Sequence, residues 1–174
     1  MAGAVEDPLG PEAPVGATFD EARFRSVLGH FATGVTVVAG VDGGEPLGLS
    51  VNSFTSVSLD PPLVAFCAAR SSSTWPRLRS VGAFTVNVLA QHQEYLSRRF
   101  AARDRDKFRG LRWWAAPSGA PVIDEVLAWI DCTLEAEYGA GDHMIVVGRV
   151  QELDVAVEGR PLIFYRGGYG RFEP

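Results

Sequence analysis

Lysine occurs once, at position 107, in a chain of 174 residues with a formal net charge of -5. Nucleic-acid binders draw much of their affinity from cations that neutralise phosphates, so this balance argues against that class. Cysteine is almost as scarce. Cys67 and Cys132 lie far apart, with no CxxC and no nearby histidine pair, which excludes a disulfide framework or a zinc site on spacing and leaves two buried, reduced thiols as the expectation. No uninterrupted apolar run of about 18 residues occurs, which argues against a membrane span. Residues 1–18 carry Glu6, Asp7 and Glu12 with prolines at 8, 11 and 14 and no basic residue, unlike a secretory signal. They are expected to form a disordered tail, with residues 19–174 as one domain and a cytoplasmic location.

What is present is a set of short periodic segments. Phe24, Val27, Leu28 and Phe31 recur at helical spacing, so a helix over 20–30 with one buried stripe and Asp20 as N-cap is expected. Val35 to Ala39 is β-branched and reaches the turn Asp42-Gly43-Gly44, from which Leu47 to Phe54 returns as a second strand. Strands are expected at Leu63 to Cys67 and Phe84 to Leu89, with a short helix behind Ser71-Ser72-Ser73-Thr74 and Trp75-Pro76, and another over 91–102 that places Tyr95, Leu96 and Phe100 on one face. Ile130, Cys132, Leu134, Ala136 and Tyr138 alternate with polar residues before Gly139-Ala140-Gly141-Asp142, and His143 to Leu153 returns as a long hairpin. Leu162 to Tyr165 closes the series. Six or seven hairpin-connected strands with two or three helices describe an antiparallel β-barrel with helical insertions, and the alternation of a doubly wound fold is missing.

Several familiar active sites fail on inspection. Gly167-Gly168-Tyr169-Gly170 lacks the spacing of GxGxxG, no GxxxxGK[ST] occurs, and Gly48-Leu49-Ser50-Val51-Asn52 has asparagine where a nucleophile elbow needs glycine. His30, His92 and His143 share no ligand spacing. The basic cluster Arg98, Arg99, Arg103, Arg105, Lys107 and Arg109, interrupted by Asp104 and Asp106, is either a solvated helix face or a local anion site. There remains a density of hydroxyl and amide residues at strand ends, Ser50 to Ser58 and Ser71 to Thr74, able to hold a phosphate or the edge of a flat heterocycle. Tyr138, Tyr165, Trp113, Trp114 and Trp129 are expected to pack in the core or at an interface.

The run Thr33-Gly34-Val35-Thr36-Val37-Val38, followed by Gly48-Leu49-Ser50-Val51-Asn52-Ser53-Phe54-Thr55-Ser56-Val57-Ser58-Leu59-Asp60-Pro61-Pro62, resembles the signature of the short-chain flavin reductases, the reductase components of two-component flavin-dependent monooxygenases. The likeness continues in order through Phe84 to Leu89, Phe100-Ala101, Gly141-Asp142-His143 and Tyr165 to Gly170, over residues 20 to 172. It implies an antiparallel split β-barrel, mainly β with helical insertions, that forms a homodimer, binds FAD or FMN and takes hydride from NADH or NADPH. Reduced flavin would then reach a separate monooxygenase by diffusion. The alternatives are a non-catalytic flavin-binding protein and a split-barrel oxidoreductase acting on a non-flavin substrate.

Residue by residue, the resemblance implies that Ser50, Val51, Asn52 and Ser53 lie along the flavin ring and ribityl chain and that Ser72, Ser73 and Thr74 meet the phosphate. Ser56, Ala68, Asn87 and Phe100 would border the flavin, while His143, with a catalytic role, and Tyr169 would lie at the nicotinamide. Hydride transfer between two cofactors requires the protein to stack and orient rings, which suits a chain without a triad or metal motif.

Overall fold

The structure, a computed structural model, describes residues 19–103 and 106–173, so the expected 1–18 tail lies outside the described residues. Asp20 opens α1 (Glu21–Leu28) as expected, its Oδ1 accepting the Arg23 N–H at 2.7 Å. The chain continues through β1 (Thr33–Gly34), β2 (Thr36–Asp42), β3 (Glu45–Val51), β4 (Thr55–Leu59), β5 (Pro62–Ala69), α2 (Trp75–Val81) and β6 (Ala83–Val88). A 3₁₀ turn (Gln91–Gln93) leads into α3 (Glu94–Ala101), followed by β7 (Trp113–Ala115), β8 (Pro121–Ile123), β9 (Ala128–Ala140), β10 (His143–Val155), β11 (Leu162–Tyr165) and β12 (Gly168–Arg171).

The main sheet has the order β3-β2-β6-β9-β10-β5-β4, antiparallel at every pairing. Its two edge strands, β3 and β4, are consecutive in the chain but do not pair, which makes this a barrel split along one seam. The β2–β3 turn needs left-handed backbone at two successive positions, φ 58° and 84°, and Gly43-Gly44 supplies both. Smaller sheets, β1-β11-β12 and β7-β8, lie outside the main one.

Side chains alternate across each strand, and here both faces are covered. On β2, Val37 and Ala39 join Leu96, Phe100, Val122 and Trp129 in one core, while Val38 joins Phe66, Trp75, Phe84 and Cys132 in the other. That is why Thr36 is as buried as its apolar neighbours between Val35 and Ala39, and it corrects the half-buried reading of β9 at Trp129, Asp131 and Cys132, while residues 133–138 are half-buried or exposed. Asp131 is fully buried on its outer face, accepting from the Ser118 N–H at 2.9 Å and the Ser118 hydroxyl at 2.5 Å.

Three further expectations change. The stripe of α1 meets no other element: Phe24, Val27, Leu28 and Phe31 are 49%, 60%, 57% and 79% exposed. On α3 the face is set by Leu96, Ser97 and Phe100, and Tyr95 points to solvent. The strand expected over 47–54 stops at Val51, because Asn52 to Phe54 cross the seam to β4. Both cysteines are reduced, with Cys132 buried and Cys67 partly exposed. Burial, then the charge of Asp131, pushes the Cys132 thiol up to about 12.

Candidate cofactor site

A cavity of about 920 Å³ opens beside the seam, at the upper end of the range for small-molecule sites. One wall is β3 and its continuation from Glu45 to Ser53. Cys67 and Ala69 at the end of β5, the Ser71 to Thr74 loop and His143 form the opposite side, and Phe100 to Arg103 with Lys107 close one end.

Close packing of α3 on β3 builds this end. A Cβ at position 48 would stand 2.9 Å from Phe100 Cε1, so glycine is what lets the helix approach. Lys107, 8% exposed, donates from Nζ to Phe100 O at 2.8 Å and Gly48 O at 3.3 Å, tying its loop to helix and strand. Across the seam, Ser53 Oγ accepts the Cys67 N–H at 2.8 Å and holds the β3–β4 link to β5.

The serine loop is rigid for a local reason. Ser72 Oγ accepts from the Thr74 and Trp75 N–H groups at 3.2 and 3.1 Å, so Ser72 caps the start of α2 although Thr74 occupies the cap position. Trp75 anchors it below, its ring edge-on to Phe66 and its Nε1–H donating to Glu137 Oε1 at 2.6 Å. Arg77 then pins the β2–β3 hairpin to α2, donating to Asp42 Oδ2 at 2.7 Å and Glu45 Oε2 at 2.8 Å, bonds that raise its pKa.

His143 begins β10 and is half-exposed. Its Nδ1 lies 2.7 Å from Asp142 Oδ1, a hydrogen bond that holds the Asp142 carboxyl below the usual carboxylate range. Arg70 fixes the turn itself, through its backbone N–H to Asp142 O and its Nε–H to Gly141 O, both at 2.9 Å. With Nδ1 engaged, Nε2 is the imidazole nitrogen left for a ligand.

Of the site residues expected from sequence, Ser50, Val51, Asn52, Ser53, Ser72, Ser73, Thr74, Phe100 and His143 all line this cavity. Ser56, Ala68, Asn87 and Tyr169 do not. Ser56 is on exposed β4, and Ala68 turns into the core between Cys67 and Ala69, which border the cavity on the opposite face of β5. Asn87 is fully buried: its amide donates to Val37 O at 3.2 Å and Pro121 O at 3.1 Å, and its Oδ1 accepts the Ile123 N–H at 2.8 Å. Tyr169 sits edge-on to Phe164, with Arg98 over its ring at 4.8 Å.

The basic cluster divides. Arg103 and Lys107 border the cavity, Arg98 pairs with Glu94, and Arg99 donates to the Asp106 and Arg109 carbonyls; Arg105 lies outside the described residues. Arg77, Cys67 and Gly48 carried no individual signal in the sequence, whereas the single lysine did. Among the described residues no three His, Cys, Asp or Glu side chains converge to hold a metal ion, and no helix is long and apolar enough to cross a membrane.

Residues 28–173 match the family model described as a flavin reductase like domain. The chain belongs to that family. A protein named flavin reductase from Pseudomonas putida is 50% identical over 91% of this chain and 94% of its own length. The reductase subunit HsaB of a flavin-dependent monooxygenase from Rhodococcus jostii is 46% identical over 95% of this chain and 85% of its own. The solved structure of the NADH:FAD oxidoreductase SgcE6 from Streptomyces globisporus, in complex with NAD and FAD fragments, superposes with a TM-score of 0.84 at 40% identity, covering 89% of this chain and 94% of that one. The flavin reductase-like split barrel thus accounts for the seam and the cavity beside it.

Proposed function

We propose that this chain is an NAD(P)H:flavin oxidoreductase whose reduced FAD or FMN serves a separate monooxygenase. The observation that carries the reading is the convergence, in one cavity, of a polar strand, a capped serine loop and a single oriented histidine. The cavity fits the cofactor: its volume of about 920 Å³ admits a flat ring with its side chain, and Ser50, Asn52, Ser53 and the Ser71 to Thr74 loop supply polar groups along its lining. Bound flavin supplies the acceptor for the hydride that leaves the nicotinamide of NADH or NADPH.

The residues then divide the work. Ser50 to Ser53 offer hydroxyl, amide and backbone groups to the ring edge and ribityl chain. Ser73 and Thr74 offer hydroxyls to the phosphate, while Ser72 holds the loop. Arg103 and Lys107 place positive charge at the far end. His143 orients the nicotinamide from the opposite wall, with Asp142 fixing its ring. The protein contributes position and polarity and holds both rings in one cleft.

The exposed face of α1 supports a homodimer. Gly29 O accepts the Arg166 N–H at 2.8 Å, so the helix end is tied to the β11–β12 turn and presents a fixed apolar surface rather than a loose one. A second copy carries the same patch, which a two-fold interface pairs with itself.

The test is a steady-state comparison of NADH and NADPH with riboflavin, FMN and FAD. Flavin-dependent nicotinamide oxidation is expected. Tight flavin binding without turnover would instead leave a binding protein, and turnover indifferent to added flavin would leave an oxidoreductase of another substrate.

A further inference from the structure

Tyr169 lies outside the cavity, yet a line of hydroxyls joins it to the cavity wall. Tyr169 OH is 2.8 Å from Ser97 Oγ, and Ser97 Oγ is 3.1 Å from Ser50 Oγ, which lines the cavity. Ser97 is 3% exposed and sits one turn before Phe100, on the face of α3 that packs on β3. We propose that Tyr169 is a positioning residue, which acts through Ser97 to hold the Ser50 hydroxyl as a hydrogen-bond donor toward an acceptor on the bound flavin.

The direction of the chain follows from acidity. A phenol is a far stronger donor than an aliphatic alcohol, and the Arg98 guanidinium over the Tyr169 ring draws electron density from it. Tyr169 therefore donates to Ser97, Ser97 donates to Ser50, and the Ser50 proton is left to point into the cavity. Each hydroxyl that accepts becomes a better donor in turn. Without the phenol O–H, Ser97 can accept from Ser50, and the wall then presents a lone pair to an acceptor. This inference rests on the proposed flavin site.

The experiment measures Kd by quenching of flavin fluorescence, for riboflavin and FMN, in the wild type, Tyr169→Phe, Ser50→Ala and the double variant. Tyr169→Phe keeps the ring against Phe164 and beneath Arg98, so the melting temperature should change little. Its Kd should rise about threefold to tenfold, by the same factor for riboflavin and FMN, as expected for one lost hydrogen bond away from the phosphate. KM for flavin should rise with kcat at saturation unchanged. The double variant should bind no more weakly than Ser50→Ala alone, because the phenol acts only through that hydroxyl. An unchanged Kd in Tyr169→Phe, or losses that add in the double variant, would overturn the relay alone. A wild type that binds no flavin would overturn the proposed function and the relay with it.

Discussion

Asp142 Oδ1 stands 2.7 Å from Nδ1 of His143, the residue that follows it in the chain. The pair opens β10, and Arg70 holds the turn that carries it. A hydrogen bond between neighbours on an exposed turn contributes little stability, since the Asp142 side chain is 94% exposed. Its effect is to select one face and one tautomer of the imidazole.

Nitrogen-15 spectra of the His143 ring in its neutral form should therefore show the proton on Nδ1. Asp142→Ala should shift the ring toward the Nε2–H tautomer while the fold persists, and a wild type already in that form would sink the assignment. His143→Ala should fold normally and slow flavin reduction by about tenfold to a hundredfold, the scale for a misplaced reactant. Stopped-flow reduction at saturating nicotinamide is the measurement. Because hydrogen bonding to His143 depresses the Asp142 carboxyl, that bond's stabilising effect is full above the unfolded carboxylate range near pH 4 and fades as pH falls through the lower folded value.

Ser72 and its neighbours should separate in their effects. Ser72→Ala removes the acceptor for two backbone N–H groups and should cost about 1 kcal/mol of stability. Ser73→Ala with Thr74→Ala should leave the melt alone and weaken FMN far more than riboflavin. Equal losses for the two flavins would remove the phosphate from this loop.

Asn87 makes a contrasting case. Asn87→Ala strands the Ile123 N–H in the core and removes a donor from the Val37 and Pro121 carbonyls, the second of which keeps the Thr85 hydroxyl, and should cost about 2 kcal/mol, or roughly 4 to 8 °C in melting temperature. Flavin affinity, measured below the transition, should stay within a factor of two. A large affinity loss in a well-folded variant would return Asn87 to the site.

The two thiols should react differently. Cys67 borders the cavity, so maleimide should label it and saturating FMN should slow the labelling. Cys132, buried and with its ionisation suppressed, should stay unlabelled until the chain unfolds. Labelling of Cys67 that ignores flavin would place the ligand elsewhere.

A charge on α1 tests the dimer. Leu28→Asp alters a side chain that touches no core, so the monomer fold should survive while the mass by light scattering halves. A wild type already monomeric and active would refute the interface.

Local chemistry made much of this legible in advance. Asp20, Gly43-Gly44 and the long hairpin after Ala128 announce themselves because caps, positive φ and alternation are properties of neighbours in sequence. Periodicity found α1 and its apolar residues but not their burial, because it reports an apolar face and is silent on what covers it. Asp131 and Asn87 look like solvent-facing positions of half-buried strands, and it is the β7–β8 hairpin, through Ser118, Pro121 and Ile123, that turns them inward. The serine and histidine positions of the cavity followed from a motif. Arg77 and Cys67 did not, since they arrive there through the packing of α2 and the curl of β5, which no local pattern encodes.

The seam between β3 and β4 bears on how this scaffold varies. The two cores, where volume is fixed to within a methyl group, meet the cavity at Leu47, Val51 and Phe100. Other borders, Asn52, Ser71, Ser73, Ala102 and Arg103 among them, are exposed. Substitutions there can lengthen or narrow the binding groove with little penalty to folding. Cofactor preference is therefore free to drift in this architecture, between larger and smaller flavin nucleotides, while the barrel that presents them stays the same.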